Sequence, residues 1–239
     1  MHVIKDDEIH IWWANTDLPQ WDLPQMASLL SDDENNRADR FVSPRHRERF
    51  IVVHGLLRSL LGKYLGITPD SVKLLSDPKG KPYLDIDGGG GRLCFNLSHS
   101  HNISLFGMVL NRRIGVDVEY IRPLSNMESI ARRYFSKREF KSVINSTEGK
   151  RDHIFFQYWT MIEAYLKATG DGLAGLRHVQ INYDIARGNT PTASIRDFLE
   201  KSWSIYPLVI SPEYCAAFAL EGNCKATPIL RQVSSLSFE

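Results

Sequence analysis

The sequence predicts an α+β fold and permits a division into two α+β halves. Strand-like alternation and helix-like periodicity occupy separate runs, the pattern of an α+β chain. Strand-helix-strand order comes round twice, with Ile114 able to start the second half. The chain has 239 residues, enough for two halves of ordinary size. The expected division is 1–113 and 114–239.

Bulk properties narrow the function classes. Apolar residues make up 43% and charged residues 24%, ordinary for a globular protein. The formal net charge is +1, so no global field calls for nucleic acid or a membrane as partner. Cys94, Cys215 and Cys224 are widely spaced and form no CxxC pattern. That argues against a disulfide framework or zinc knuckle and suits a reducing cytosol. The first residues do not read as a signal peptide, and no apolar run is long enough to span a bilayer. A cytoplasmic location is expected.

The elements follow in order. Glu8 to Asn15 alternates around Ile9, Ile11 and Trp13 and predicts a strand. Pro19 and Pro24 predict a loop, followed by a short helix over Met26 to Leu30. Ser31 with Glu34 has capping-box spacing and starts a helix toward Phe41. Ser43 and Pro44 read as N-cap and first position of a long helix ending at Gly66. Its apolar residues recur at helical spacing. Strands are expected over Val72 to Leu75, Tyr83 to Asp85, Leu93 to Leu97, Ile103 to Leu110 and Ile114 to Tyr120. Asp77 to Tyr83 supplies a turn, and Gly88 to Gly91 a flexible hairpin tip. These short neighbours imply an antiparallel meander. Ser125 to Phe135 is the next helix. Ser136 with Glu139 caps another, and Asp152 to Ala168 forms a long one stopping near Gly170. Strands return over Val179 to Tyr183, Ser202 to Val209 and Tyr214 to Leu220. The tail after Glu221 reads as a loose extension.

The chemistry gathers in few places. Asp117 and Glu119 sit two apart on a β-branched strand, so both carboxylates leave one face. Such a pair wants a cation, a shared proton or solvent, and a hard cation such as Mg²⁺ suits oxygen ligands supplied this way. Trp159, Glu163 and Lys167 share one helical stripe, which forms either a surface ion pair or a third carboxylate beside an anion-holding lysine. Arg37, Arg40, Arg45, Arg47 and Arg49 form either a basic face paired to Asp32, Asp33, Glu34 and Glu48 or a phosphate clamp. His99 closes a strand. With His101 it could form a metal pair, and with Ser98 it could hold a phosphate.

Read together and in order, Asn96-Leu-Ser-His-Ser100, Ile114-Gly-Val-Asp-Val-Glu119 and Trp159-Thr-Met-Ile-Glu-Ala-Tyr-Leu-Lys-Ala168 resemble the Sfp-type 4′-phosphopantetheinyl transferases. The Gly80-Lys81-Pro82 turn and the Arg40-Phe41 and Arg47-to-Phe50 segments also fit, and the flavour is similar to cyanobacterial members. The resemblance covers roughly Ile9 to Leu220. It implies a pseudo-twofold pair of α+β halves, each an antiparallel sheet packed with helices, with the active site between them. It implies transfer of the phosphopantetheine arm of coenzyme A to a serine of an acyl or peptidyl carrier protein, with release of 3′,5′-ADP. By matching positions, Asp117, Glu119 and Glu163 would hold Mg²⁺, with Mn²⁺ as a substitute. Lys167 and His99 would contact the pyrophosphate with help from Ser98. Arg49 and Arg37 would take the 3′-phosphate, while Lys81 and Pro82 would line the adenine pocket. Glu163 is the candidate base, and a monomer is expected because both half-sites lie in one chain. Fatty-acid, polyketide and nonribosomal-peptide carriers are all open as substrates.

One position departs from the family pattern. Ile162 stands where the family has a lysine, before Glu163. That motivates an alternative, a catalytically weakened paralogue that binds coenzyme A or a carrier. A third expectation, a metal hydrolase on His99 and His101, comes from the residues alone.

Overall fold

The computed structural model describes residues 2–17, 19–85, 93–172, 195–196, 202–223 and 227–235. Strand β1 (His10–Asn15) is followed by helices α1 (Leu23–Ser28), α2 (Asp32–Ala38) and α3 (Pro44–Leu65). Strands β2 (Leu74–Ser76), β3 (Pro82–Leu84), β4 (Leu93–Ser100), β5 (Ile103–Leu110) and β6 (Ile114–Tyr120) come next. Then come α4 (Met127–Tyr134), α5 (Lys137–Ile144) and α6 (Glu148–Thr169). The chain closes with β7 (Ile195–Arg196), β8 (Ser202–Leu208), β9 (Tyr214–Glu221) and β10 (Ile229–Gln232). The expected strand over Val179 to Tyr183 and the tip at Gly88 to Gly91 lie outside the described residues.

Local signals act where they were read. Ser31 and Ser136 each accept from the backbone N–H three residues on, and Glu34 and Glu139 close both capping boxes. Gly66 and Gly170 end α3 and α6 in the left-handed conformation. Pro24 is not a loop residue: it sits in the first turn of α1, where its missing N–H costs nothing, and Asp22 caps that turn. Strand β4 runs on through Ser100, so Ser98 and His99 are strand residues.

The fold is α+β, and each half sets a 22-residue helix against a four-stranded sheet. The first sheet has the order β10-β1-β5-β4 and the second β6-β9-β8-β7. Helix α3 buries Val53, Leu56, Leu57, Leu60 and Leu61 in a core with Trp12, Phe95, Phe106 and Met108 of the first sheet. Helix α6 does the same with Phe156, Met161, Ala164 and Ala168 against Ala217 and Ala219 of the second. Ile11, Leu105 and Val109 meet Val116, Val118 and Phe218 in a third core between the sheets. The expected single meander is therefore wrong. Strands β2 and β3 form a separate pair, β4 and β5 join β1, and β6 crosses to the second sheet. The apolar faces of β5 and β6 decide this, because each must cover both a helix and the opposite sheet.

The described part of the tail is not loose. Strand β10 pairs in parallel with β1, with Ile11 opposite Leu230, so the end of the chain completes the first sheet. Among the described residues, no helix is long and apolar enough to cross a membrane.

Candidate active site between the two halves

Strands β4 and β6 are the facing edges of the two sheets, and side chains stitch them together. The Val116 N–H donates to Asn96 Oδ1 (2.9 Å) and the Tyr120 N–H to Ser100 Oγ (3.1 Å). Both strands advance four residues between these bonds, so they run in parallel. Between them Ser98 Oγ donates to Asp117 Oδ1 (2.9 Å), and Ser100 Oγ donates to Glu119 Oε2 (2.7 Å). Asn96, Ser98 and Ser100 alternate on one face of β4. That period-two polar row is the sequence signal from which Asn96 and Ser100 could have been found.

Helix α6 lies over this seam. Gly115 lets it come close: a Cβ there would sit 2.0 Å from the Ala164 carbonyl oxygen and 2.4 Å from the Ala168 nitrogen. The close approach brings Lys167 Nζ to 2.6 Å from Asp117 Oδ1 and 2.7 Å from Ser98 Oγ. Asp117 is only 4% exposed, so it is not a solvated edge acid. Its second oxygen, Oδ2, is buried without a hydrogen-bond partner. Burial pushes its pKa up, while Lys167 and Ser98 pull the other way. Glu163 makes no hydrogen bond or ion pair among the described residues. Burial raises its pKa, and the Asp117 charge raises it further. Glu119 is also held by Arg122 (3.3 Å).

Two cavities flank Lys167. The larger, about 910 Å³, is lined by Arg37, Arg49, Phe50, His54, Pro82, Ser98, His99 and Lys167. The smaller, about 300 Å³, is lined by Lys81, Pro82, Asn96, Glu163 and Lys167. Both volumes fall in the usual range for small-molecule sites. Strand alternation turns His99 away from Asp117 and toward α3. Partial desolvation in the cleft, then the charges of Lys167, Arg49 and His54, lower its pKa. Lys81 sends its ammonium to the Lys167 carbonyl at the end of α6, and Lys79 reaches the Gly170 carbonyl (2.5 Å). These lysines answer the negative end of the helix dipole and tie the β2–β3 turn to the second half.

The arginine cluster pairs differently from the local reading. Arg45 and Arg49 bond Asp17, Arg47 bonds Asp39, and Glu34 goes to His54 and Arg58. Arg49 keeps its Nε buried and unbonded, and Arg37 stands over the Phe50 ring at 5.3 Å. Ile162 is 1% exposed and packs in the core of the second half, so the departure from the family pattern is not on the cleft surface. His101 stacks on Tyr120 at 4.8 Å in the β4–β5 turn.

The three acids fit a hard cation by chemistry: all donors are oxygens, and Asp117 Oδ2 is a buried acceptor with nothing to accept. They are not drawn together as a cage. Among the described residues, no group of three His, Cys, Asp or Glu side chains is placed to hold a metal. Lys167 supplies the positive charge at Asp117.

Residues 113–219 match the 4′-phosphopantetheinyl transferase superfamily. Residues 13–108 match the family described as 4′-phosphopantetheinyl transferase, N-terminal. The chain is 43% identical to the 4′-phosphopantetheinyl transferase HetI of Nostoc sp., over 92% of this chain and 90% of that protein. It is 24% identical to the 4′-phosphopantetheinyl transferase gsp of Aneurinibacillus migulanus, over 89% and 81% of the two chains. It is 28% identical to the 4′-phosphopantetheinyl transferase Sfp of Bacillus subtilis, over 61% and 67%.

Proposed function

The chain belongs to the 4′-phosphopantetheinyl transferase superfamily, and from that premise we propose the following reaction and site. The enzyme moves the phosphopantetheine arm of coenzyme A onto a serine of an acyl or peptidyl carrier protein, with Mg²⁺ at the seam between its halves. It does so as a monomer, since both walls of the cleft come from one chain. The observation that carries this reading is Asp117, whose Oδ1 is bonded by Lys167 and whose Oδ2 is buried without a partner.

Asp117, Glu119 and Glu163 would hold Mg²⁺, which when bound neutralises charge on the pyrophosphate. Lys167 and His99 face the larger cleft and receive the pyrophosphate oxygens, with Ser98 beside them. Arg37 and Arg49 take the 3′-phosphate. Pro82 and the Lys81 backbone border the adenine. The serine oxygen bonds to the β-phosphorus, and the bond from that phosphorus to the bridging oxygen breaks. Adenosine 3′,5′-bisphosphate leaves with the electron pair. The serine proton goes to Glu163, whose raised pKa makes it a better acceptor than an ordinary carboxylate. Lys167 stabilises the charge that builds on the leaving phosphate.

The weakened-paralogue reading draws no support from Ile162, whose side chain is core. The test is incubation with coenzyme A, Mg²⁺ and a panel of apo carriers from fatty-acid, polyketide and peptide synthesis. A carrier should gain the mass of one phosphopantetheine arm, and chelation of the metal should stop it. No gain with any carrier sinks the proposal.

A further inference from the structure

The wall of the larger cleft holds a side chain without an assigned role. His54 lies one turn beyond Phe50 on α3, and the two rings stack with centroids 4.0 Å apart. Its Nδ1 is 2.9 Å from Glu34 Oε1. Glu34 also accepts from Arg58 Nε (2.5 Å) and from the Ser31 N–H (3.0 Å). Burial works against ionisation of Glu34, but the bonds from His54 and Ser31 and the charges of His54 and Arg58 hold its carboxyl at about 2. A carboxylate in that state only accepts, so His54 Nδ1 must carry the proton. Nε2 is left for the cleft.

A second observation points at the same volume. Arg49 spends one terminal nitrogen, Nη2, on Asp17 (3.2 Å to each oxygen) while its Nε stays buried and unbonded. Arg37 makes no described ion pair and rests on the Phe50 ring that His54 also stacks on. Arg37 and Arg49 thus border one space with donor capacity unspent, and His54 adds a ring nitrogen that donates there once a dianion draws a second proton onto the imidazole, an arrangement that suits a doubly charged phosphomonoester.

We propose that His54, through Nε2, joins Arg37 and Arg49 in binding the 3′-phosphate of coenzyme A and sets the preference for coenzyme A over its 3′-dephospho form. This rests on the reading above that coenzyme A is the substrate. Glu34 orients the ring and keeps Nδ1 out of the cleft, so it is a positioning residue.

Calorimetry with coenzyme A and 3′-dephospho-coenzyme A, on the wild type and His54→Gln, tests it. The wild type should prefer coenzyme A. His54→Gln should bind coenzyme A about tenfold more weakly and the dephospho form unchanged. A variant that keeps the wild-type preference, or weakens both ligands alike, overturns the proposal. A wild type that binds neither ligand overturns the coenzyme A reading itself, and this one with it. If His54→Gln fails to fold, nitrogen NMR of the wild type decides. The His54 Nε2 signal should shift toward the protonated form with coenzyme A and not with the dephospho form; the same response to both overturns the proposal.

Discussion

At the scale of single residues, the site works against its own stability. Asp117 and Glu163 both have pKa values raised chiefly by burial. For Glu163 the folded chain holds a proton more tightly than the unfolded chain, whose carboxyl has the ordinary value of 4.5. Stability from this group is therefore largest below that value and declines as pH rises through the folded pKa. At neutral pH its charge is a cost that a neutral amide avoids. Glu163→Gln should melt higher than the wild type by on the order of 2 °C, with the gap opening as pH rises. The same substitution should slow transfer at least about a hundredfold, because the amide cannot take the serine proton and offers a cation only a neutral, weaker oxygen ligand. Wild-type transfer should fall as pH drops through the raised pKa. Thermal melts across pH and a pH–rate profile check this, and a lower melting temperature for Glu163→Gln at neutral pH contradicts it. The acids were legible because their types and spacing are local. Their burial was not, since nothing in Val-Asp-Val-Glu says that both faces of the strand are covered.

At the scale of elements, the decisive contact is that of α6 on β6. Gly115 has no conformational role; it leaves room for the α6 backbone. A methyl group there meets a carbonyl oxygen and an amide nitrogen, neither of which can rotate away as a side chain does. Gly115→Ala should cost about 3 kcal/mol, the upper end for overpacking, and should pull Lys167 from Asp117. Denaturant unfolding and the transfer assay measure both effects; an active variant of unchanged stability contradicts the packing argument. The capping boxes at Ser31 and Ser136 were readable because their partners lie three residues away. The Lys81 bond to the end of α6 spans 86 residues, and no local pattern announces it.

At the scale of the whole molecule, the two halves are separate in sequence but not in structure. Strand β10 returns from the end of the chain to pair with β1, and β4 and β6 are joined by side chains instead of a backbone ladder. The α+β class and the two long helices were legible because amphipathic periodicity encodes them. The partition of the described strands into three sheets was not, because strand pairing is settled by which apolar faces remain to be covered. The proposed catalytic centre is this seam, with Asp117 at its middle. Transfer of the phosphopantetheine arm to an apo carrier protein by the Asp117→Ala variant tests it most directly, read by intact mass. The variant should still melt cooperatively and give no mass gain, beside full conversion by the wild type. A folded Asp117→Ala protein that loads the carrier at the wild-type rate contradicts it.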